Sequence, residues 1–289
     1  MHAGISRFVI YCLLAVAVAA EQPGGTLAPP NSERAVSRFN FTLMPKAFQK
    51  NPTLEMTVNT QLTAHGRTLP EASTAQPVYY IAHDSGYRQM GETMGEHPPP
   101  PVKLQEHLID SLKARGYLPA QPGHPPTLAL FFYWGSHNSM DRETAAMFPE
   151  LQAQQQLERA VLIGGDAYRK KESERMAFGR TPADNLPQDE YLRYQELNDL
   201  YYAVVSAYDY AALARKERKL AWRTTMTVNS TGVSMTESLP VLLASSSFYF
   251  GRETREPVAV MREARRGTVT LGPLLIIERA PARTAQPSK

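Results

Sequence analysis

Leu104, Leu108 and Leu112 recur at i, i+4 and i+8, with Val102 and Ile109 beside them. That spacing predicts a helix with one apolar face starting near Val102. Gly116 stands where a left-handed helix cap is needed, and Lys113 and Arg115 place cations in the last turn, favourably for the helix dipole. A loop from Pro119 to Pro126 then leads into Leu128-Ala129-Leu130-Phe131-Phe132-Tyr133-Trp134, apolar at both odd and even positions. Such a run suits a strand covered on both faces. It ends in Gly135-Ser136-His137-Asn138, a polar corner.

The same reading extends to the rest of the chain. Phe39, Phe41 and Leu43 alternate with polar neighbours and stop at Pro45, a short strand pattern. Met56, Val58, Thr60 and Leu62 share one face of a strand that Gly66 ends. Val78-Tyr79-Tyr80-Ile81-Ala82 is a strand between Pro77 and the turn-like His83-Asp84-Ser85-Gly86. From His83 to Pro101 no period is visible, so a long loop closing on four prolines is expected. Strand, helix and strand in succession predict parallel pairing of the Val78 and Leu128 strands.

A helical insertion spans about 141–198. Pro149 opens one helix, Gly164-Gly165 break it, Asp166 starts a second, and a third begins near Glu190. Leu200 to Tyr210 is a second buried run, and Arg215 to Lys219 is a charged turn. In the strand after that turn, Leu220, Trp222, Thr224, Met226 and Val228 share a face, with Arg223, Thr225 and Thr227 pointing away. The two strands form an antiparallel pair. Ser238 and Pro240 open a helix with Leu239, Leu242 and Leu243 inside, closing near Gly251; 258–261 and 269–277 are the last strand candidates. The expected fold is α+β or α/β: a single mixed sheet with helices on its faces, occupying 39–279, with a polar tail over 280–289.

Charge and composition narrow the class of partner. The chain has 289 residues, 43% of them apolar, and a net charge of +3. The basic runs at 169–171, 215–219 and 262–266 are short and flanked by acids, so they read as solvated faces and not as a nucleic-acid surface.

The N-terminus predicts export. Arg7 precedes an apolar core from Phe8, and small residues Val18-Ala19-Ala20 lie before Glu21. This is a signal-peptide pattern over 1–20. The apolar run is about 13 residues against the roughly 20 a membrane span needs, so no retained transmembrane helix is expected. A Pro/Gly-containing leader covers 21–38. Cys12, the single cysteine, lies inside the signal core, so cleavage after Ala20 leaves a chain without thiol chemistry or disulfides. The expected location is the periplasm or the exterior.

Two sets of residues carry a resemblance. Leu112-Lys113-Ala114-Arg115-Gly116-Tyr117 precedes an apolar strand, and Ala207-Tyr208-Asp209-Tyr210 precedes a charged turn and Leu220-Ala221-Trp222-Arg223. Over about 78–228 this resembles a bacterial envelope domain of unknown function often carried on lipoproteins. The resemblance implies a fold and an envelope location and no activity. Cys12 departs from the lipoprotein pattern, because Val9-Ile10-Tyr11 upstream of it are not small.

Catalytic signatures are scarce. The chain has no Gly-x-Ser-x-Gly turn, no phosphate-binding Gly-Lys loop, no dinucleotide Gly-x-Gly-x-x-Gly and no H-x-x-x-H pair. Neither a cofactor nor a metal site is implied. The candidate binding residues are His83 and Asp84 after one strand, and Trp134, Ser136, His137 and Asn138 at the end of another. If those strands are parallel neighbours, the polar groups meet at their carboxyl ends, where open α/β sheets place ligands. His83, Asp84, Ser136 and His137 then supply a nucleophile and a base for a hydrolase. In the other reading they are turn residues and partly exposed strand-end fillers. The protein is then a non-enzymatic envelope protein that binds another envelope protein or an envelope component. The aromatics of Tyr191 to Tyr210 are core and sheet-edge packing, or line a groove.

Overall fold

The computed structural model describes residues 44–91, 97–181 and 186–266. One mixed sheet of seven strands runs through it: β1 (Thr53–Leu62), β2 (Val78–Gly91), β3 (Tyr117–Pro119), β4 (Leu128–Asn138), β5 (Leu200–Asp209), β6 (Leu220–Asn229) and β7 (Val258–Glu263). Their spatial order is β3-β2-β4-β5-β6-β1-β7. β2 is parallel to both β3 and β4, and every other pairing is antiparallel. Among the described residues six helices surround the sheet: α1 (Pro101–Lys113), α2 (Arg142–Met147), α3 (Pro149–Phe178), α4 (Pro187–Leu197), α5 (Tyr210–Ala214) and α6 (Met235–Ser246).

The two faces bury different material. On one face, Leu104, Leu108 and Leu112 of α1 and Leu239, Leu242 and Leu243 of α6 share the main core with Met56, Val58, Leu130, Phe132, Trp134, Val205, Trp222, Met226 and Val228. On the other, α3 and α4 close over Leu200, Tyr202 and Val204 of β5 through Ala160, Leu162, Ile163, Tyr168 and Leu192. β4 and β5 are therefore covered on both sides, which is why their sequences are apolar at nearly every position.

The parallel β2–β4 pair, the antiparallel β5–β6 pair and the helical insertion stand where the hydrophobic pattern puts them. Gly116 follows α1 with φ +84°. The insertion contains α2, α3 and α4, and α3 is broken at Gly165, where φ is +70° and ψ −165°.

Several boundaries differ. β2 does not stop at Ala82 but continues to Gly91 through a register shift between Asp84 and Tyr87, a bulge that absorbs the turn-like residues into the strand. Gly135 to Asn138 belong to β4, paired with β2 and β5, and are not a corner after it. α6 begins earlier than Ser238, because Ser234 and Glu237 form a capping box and Pro240 lies inside the helix. Ile109 faces outward, 40% exposed. Thr225 and Thr227 point away from the main core yet are buried, because α3 covers that face. The signal segment, the leader, the 39–43 pattern, the 269–277 strand and the 280–289 tail lie outside the described residues.

Candidate functional site

Successive side chains on a strand point to opposite faces, and this separates the polar residues singled out by sequence. Ser136 looks toward the α1/α6 face, where its Oγ lies 3.3 Å from the Tyr87 hydroxyl. His137 looks toward α3, fully buried, with Glu158 Oε2 at 3.8 Å from Nε2 and neither ring nitrogen in a hydrogen bond. His83 is exposed on the same face as His137 and meets Phe131 edge-on, centroids 5.6 Å apart. Phe131 is six positions before His137, so the two histidines are separated by roughly 20 Å of strand. Asp84 points away from His83 and accepts hydrogen bonds from Gly86 N (2.8 Å) and Gln105 Nε2 (2.5 Å). Asn138 is buried, and Trp134 stacks on Phe132 in the core at 5.1 Å. The strands are neighbours and parallel, but no hydroxyl–imidazole–carboxylate group is assembled from these residues. His137 is a sealed core residue and not a strand-end filler.

Behind His137 lies a set of charges that no local motif announces. Arg159, Glu172, Arg175, Glu196 and Tyr168 are buried between α3, α4 and the sheet. Glu172 and Arg175 pair across one turn of α3. Burial holds the His137 imidazole down to about 4, with Arg159 adding to it, so the ring is neutral. Burial, then the nearby Glu172, pushes the Glu196 carboxyl up to about 8. Burial lowers the Arg159 guanidinium to about 10, against the pull of Asp199 and Glu196. Beside this cluster, a polar cleft of about 390 Å³ is lined by Asn59, Gln61, Tyr168, Lys171, Gln188 and Asp189, and a 2.7 Å Lys171–Asp189 ion pair stands in its wall.

A second cleft, of about 350 Å³, opens at the far end of β1. It is built from stretches distant in sequence: the end of β1 with the β1–β2 connection and the start of β2, Tyr117 of β3, the start of β4, the start of β6, and the segment 251–253 after α6. Its floor is apolar and aromatic, made by Leu62, Leu69, Val78, Leu128, Tyr117 and Trp222. Tyr117 and Trp222 are tilted ring against ring at 5.6 Å, and Trp222 stacks on Phe250 at 6.1 Å. Gly251 forms part of the wall because a Cβ there would lie 2.0 Å from the Tyr117 hydroxyl oxygen. Burial raises the Tyr117 phenol well above the ordinary range, so it stays protonated.

The connection over this cleft is tied at both ends. Thr63 N donates to Ala221 O at 3.0 Å, and Val78 N to Gly116 O at 2.9 Å. His65 Nε2 lies 2.9 Å from Asp209 Oδ2. Between those ties, two ion pairs cross the mouth in opposite senses: Arg67 to Glu253 at 2.5 Å and Arg252 to Glu71 at 3.4 Å. The guanidinium carbons of Arg115 and Arg252 lie 4.9 and 5.0 Å from the centroid of the Phe248 ring.

Sequence patterning placed Trp222 on the inner face of its strand, named Tyr117 only within the resemblance motif, and missed the cleft. Its charged residues sit in irregular segments some 186 positions apart, and only the fold brings them face to face.

Among the described residues, no group of three His, Cys, Asp or Glu is placed to hold a metal ion, and no helix is long and apolar enough to cross a membrane. No family model and no curated protein matches the chain. Among solved structures, the chain is similar to a PelC dodecamer from Paraburkholderia phytofirmans, with a TM-score of 0.29 and 10% identity over 69% of this chain and 98% of that one. At that TM-score the similarity carries no argument about fold, assembly or role.

Proposed function

We propose that this is an exported bacterial envelope protein that binds an envelope component and performs no chemistry on it. One observation carries the reading: the cleft at the end of β1 joins an aromatic floor to a charged mouth, within the size range of small-molecule sites. It offers surface for holding a ligand. Its polar groups are guanidiniums and carboxylates already paired with each other, and no nucleophile is aligned with a base there. The divergence of Ser136 from His137 favours binding over the hydrolase alternative, which needs hydroxyl and imidazole in hydrogen-bond reach. Export rests on the Arg7, apolar core and Ala20 arrangement.

Two measurements test this. Protein recovered from the envelope or medium should begin near Glu21; a cytosolic chain retaining Met1 overturns the export half. Purified protein should show no turnover of ester, phosphate, peptide or glycan substrates. Turnover abolished by both Ser136→Ala and His137→Ala would overturn the binding half.

A further inference from the structure

We infer that the cleft at the end of β1 takes a small amphipathic organic anion, its apolar or aromatic body on the Trp222 floor and its carboxylate or phosphate at the arginines of the mouth. The inference rests on the binding role proposed above and narrows it to a ligand class.

The floor sets the body of the ligand. Beside Leu62, Leu69, Val78, Leu128 and Trp222, the uncharged hydrogen-bonding side chains of the lining are few: the Tyr117 and Thr127 hydroxyls and the Trp222 indole N–H. A sugar or another all-polar ligand would lose its hydration there with little in return, whereas an alkyl chain or a single ring gains by burial.

The mouth sets the charge. Arg67 and Arg252 line it, opposite Glu253 and Glu71, and Arg115 lies outside the lining, its guanidinium over the same Phe248 ring as that of Arg252. Among the described residues Arg115 forms no ion pair; its guanidinium lies over Phe248, within electrostatic reach of Arg252, Tyr117 and Glu71. Because Arg115 and Arg252 both sit within 5.0 Å of one ring centroid, their guanidiniums are at most about 10 Å apart. They repel: partial burial, then the Arg252 charge, lowers the affinity of Arg115 for its own proton. Glu71, paired with Arg252 and acting on Arg115, already offsets part of that repulsion, and a ligand anion at Arg252 would take over that role. Guanidiniums also suit carboxylate or phosphate, because they donate two parallel hydrogen bonds.

The closed mouth does not bar entry. The Arg67–Glu253 and Arg252–Glu71 pairs are largely exposed. Pairs of that kind contribute little net stability, so a ligand anion can take the place of either carboxylate at small cost. The two glutamates then act as stand-ins that hold the arginines in position until a ligand whose body also fills the apolar floor takes their place.

The test uses matched probes on the full mature chain. Titration calorimetry and the quenching of tryptophan emission are followed with 3-phenylpropionate and octanoate, with their neutral alcohols 3-phenylpropanol and 1-octanol, and with inorganic phosphate alone. The carboxylates should bind, their affinity falling with salt. The alcohols and free phosphate should each bind more weakly by about tenfold or more, the loss expected for a missing charged hydrogen bond or a missing apolar body. Arg252→Gln and Arg115→Gln should lose the preference of carboxylate over alcohol. Arg255→Gln, on the same segment but lining the other cleft, should keep it. Equal affinity for acid and alcohol, unchanged by Arg252→Gln, would overturn the inference while leaving a binding role intact. No heat from any probe at millimolar concentration, with the wild-type melt unmoved, would also overturn it. Failure of the binding role itself is read separately, as turnover.

Discussion

At position 137 an imidazole is sealed between β4 and α3 with no hydrogen bond to either ring nitrogen. It is therefore a residue that resists protonation while the protein is folded. The folded-state value is depressed to about 4, and the unfolded chain takes up its proton near the ordinary 6.5. Between those values the unfolded state binds more protons, so stability rises with pH, and acid removes it as pH falls from 6.5 toward 4. Glu196 works in the opposite sense: its raised value means stability is lost as pH rises from 4.5 toward about 8. The two overlap near pH 5, so the histidine must be isolated by difference. Denaturant midpoints of wild type and His137→Gln should be compared at pH 7 and pH 4. Wild type should lose more than the variant over that interval, by on the order of 2 kcal/mol. Parallel losses would mean that the ring is accessible to protons in the native state. The sequence offered no sign of this environment. Gly135-Ser136-His137-Asn138 has the composition of a turn, and the burial comes from α3, more than ten residues further on.

Elements were legible wherever one period held for two turns or more. The leucine stripe of α1 and the alternation in β6 are such cases, and both end where the pattern ends. β2 is the contrary case. A bulge lets His83 to Gly86 pass through a sheet edge, and a bulge has no sequence period to detect. The break in α3 was legible because glycine at both 164 and 165 is rare inside a helix, though its purpose was not. Gly165 adopts φ +70°, and a Cβ there would lie 2.5 Å from both Asn59 Nδ2 and Gln61 Nε2 of β1. The break thus lets the helix backbone settle onto the polar face of β1. Gly165→Ala should destabilise the protein by about 1–3 kcal/mol in chemical denaturation, combining left-handed strain with displaced carboxamides. Gly179→Ala is the control: its φ is +82°, but nothing lies within 4 Å. The difference between the two variants reads the contact alone. Equal costs would show that α3 does not depend on its approach to β1.

Across the whole molecule, the two ends of the described fold meet at one side chain. Arg266, the last described residue, donates through Nη1 to the carbonyl oxygens of Lys46, Ala47 and Gln49 at 2.9, 2.8 and 3.1 Å. Through Nη2 it reaches Gly232 O at 2.8 Å, and through Nε it reaches Glu237 Oε1 at 2.9 Å. One guanidinium therefore fastens the segment before β1, the β6–α6 turn and the N-terminus of α6 to the segment that follows β7. Only a planar fork of donors can serve so many acceptors at once. Carbonyls left without a donor incur a desolvation cost, and hydrogen bonds from a charged group are the stronger kind. Arg266→Ala should therefore cost about 2–4 kcal/mol, large for a residue on the rim of the sheet. Arg266→Lys should recover less than half of that. The hydrogen bond from Arg266 is also the main cause of the lowered Glu237 carboxyl. A depressed acid contributes stability above its unfolded value and loses it as pH falls through the folded one. The acid limb of the stability curve should accordingly be shallower in Arg266→Ala than in wild type. Thermal melts of the three proteins from pH 7 down to pH 3 would read both effects together. An alanine variant that melts with wild type at every pH would show that the ends are held by the strands alone.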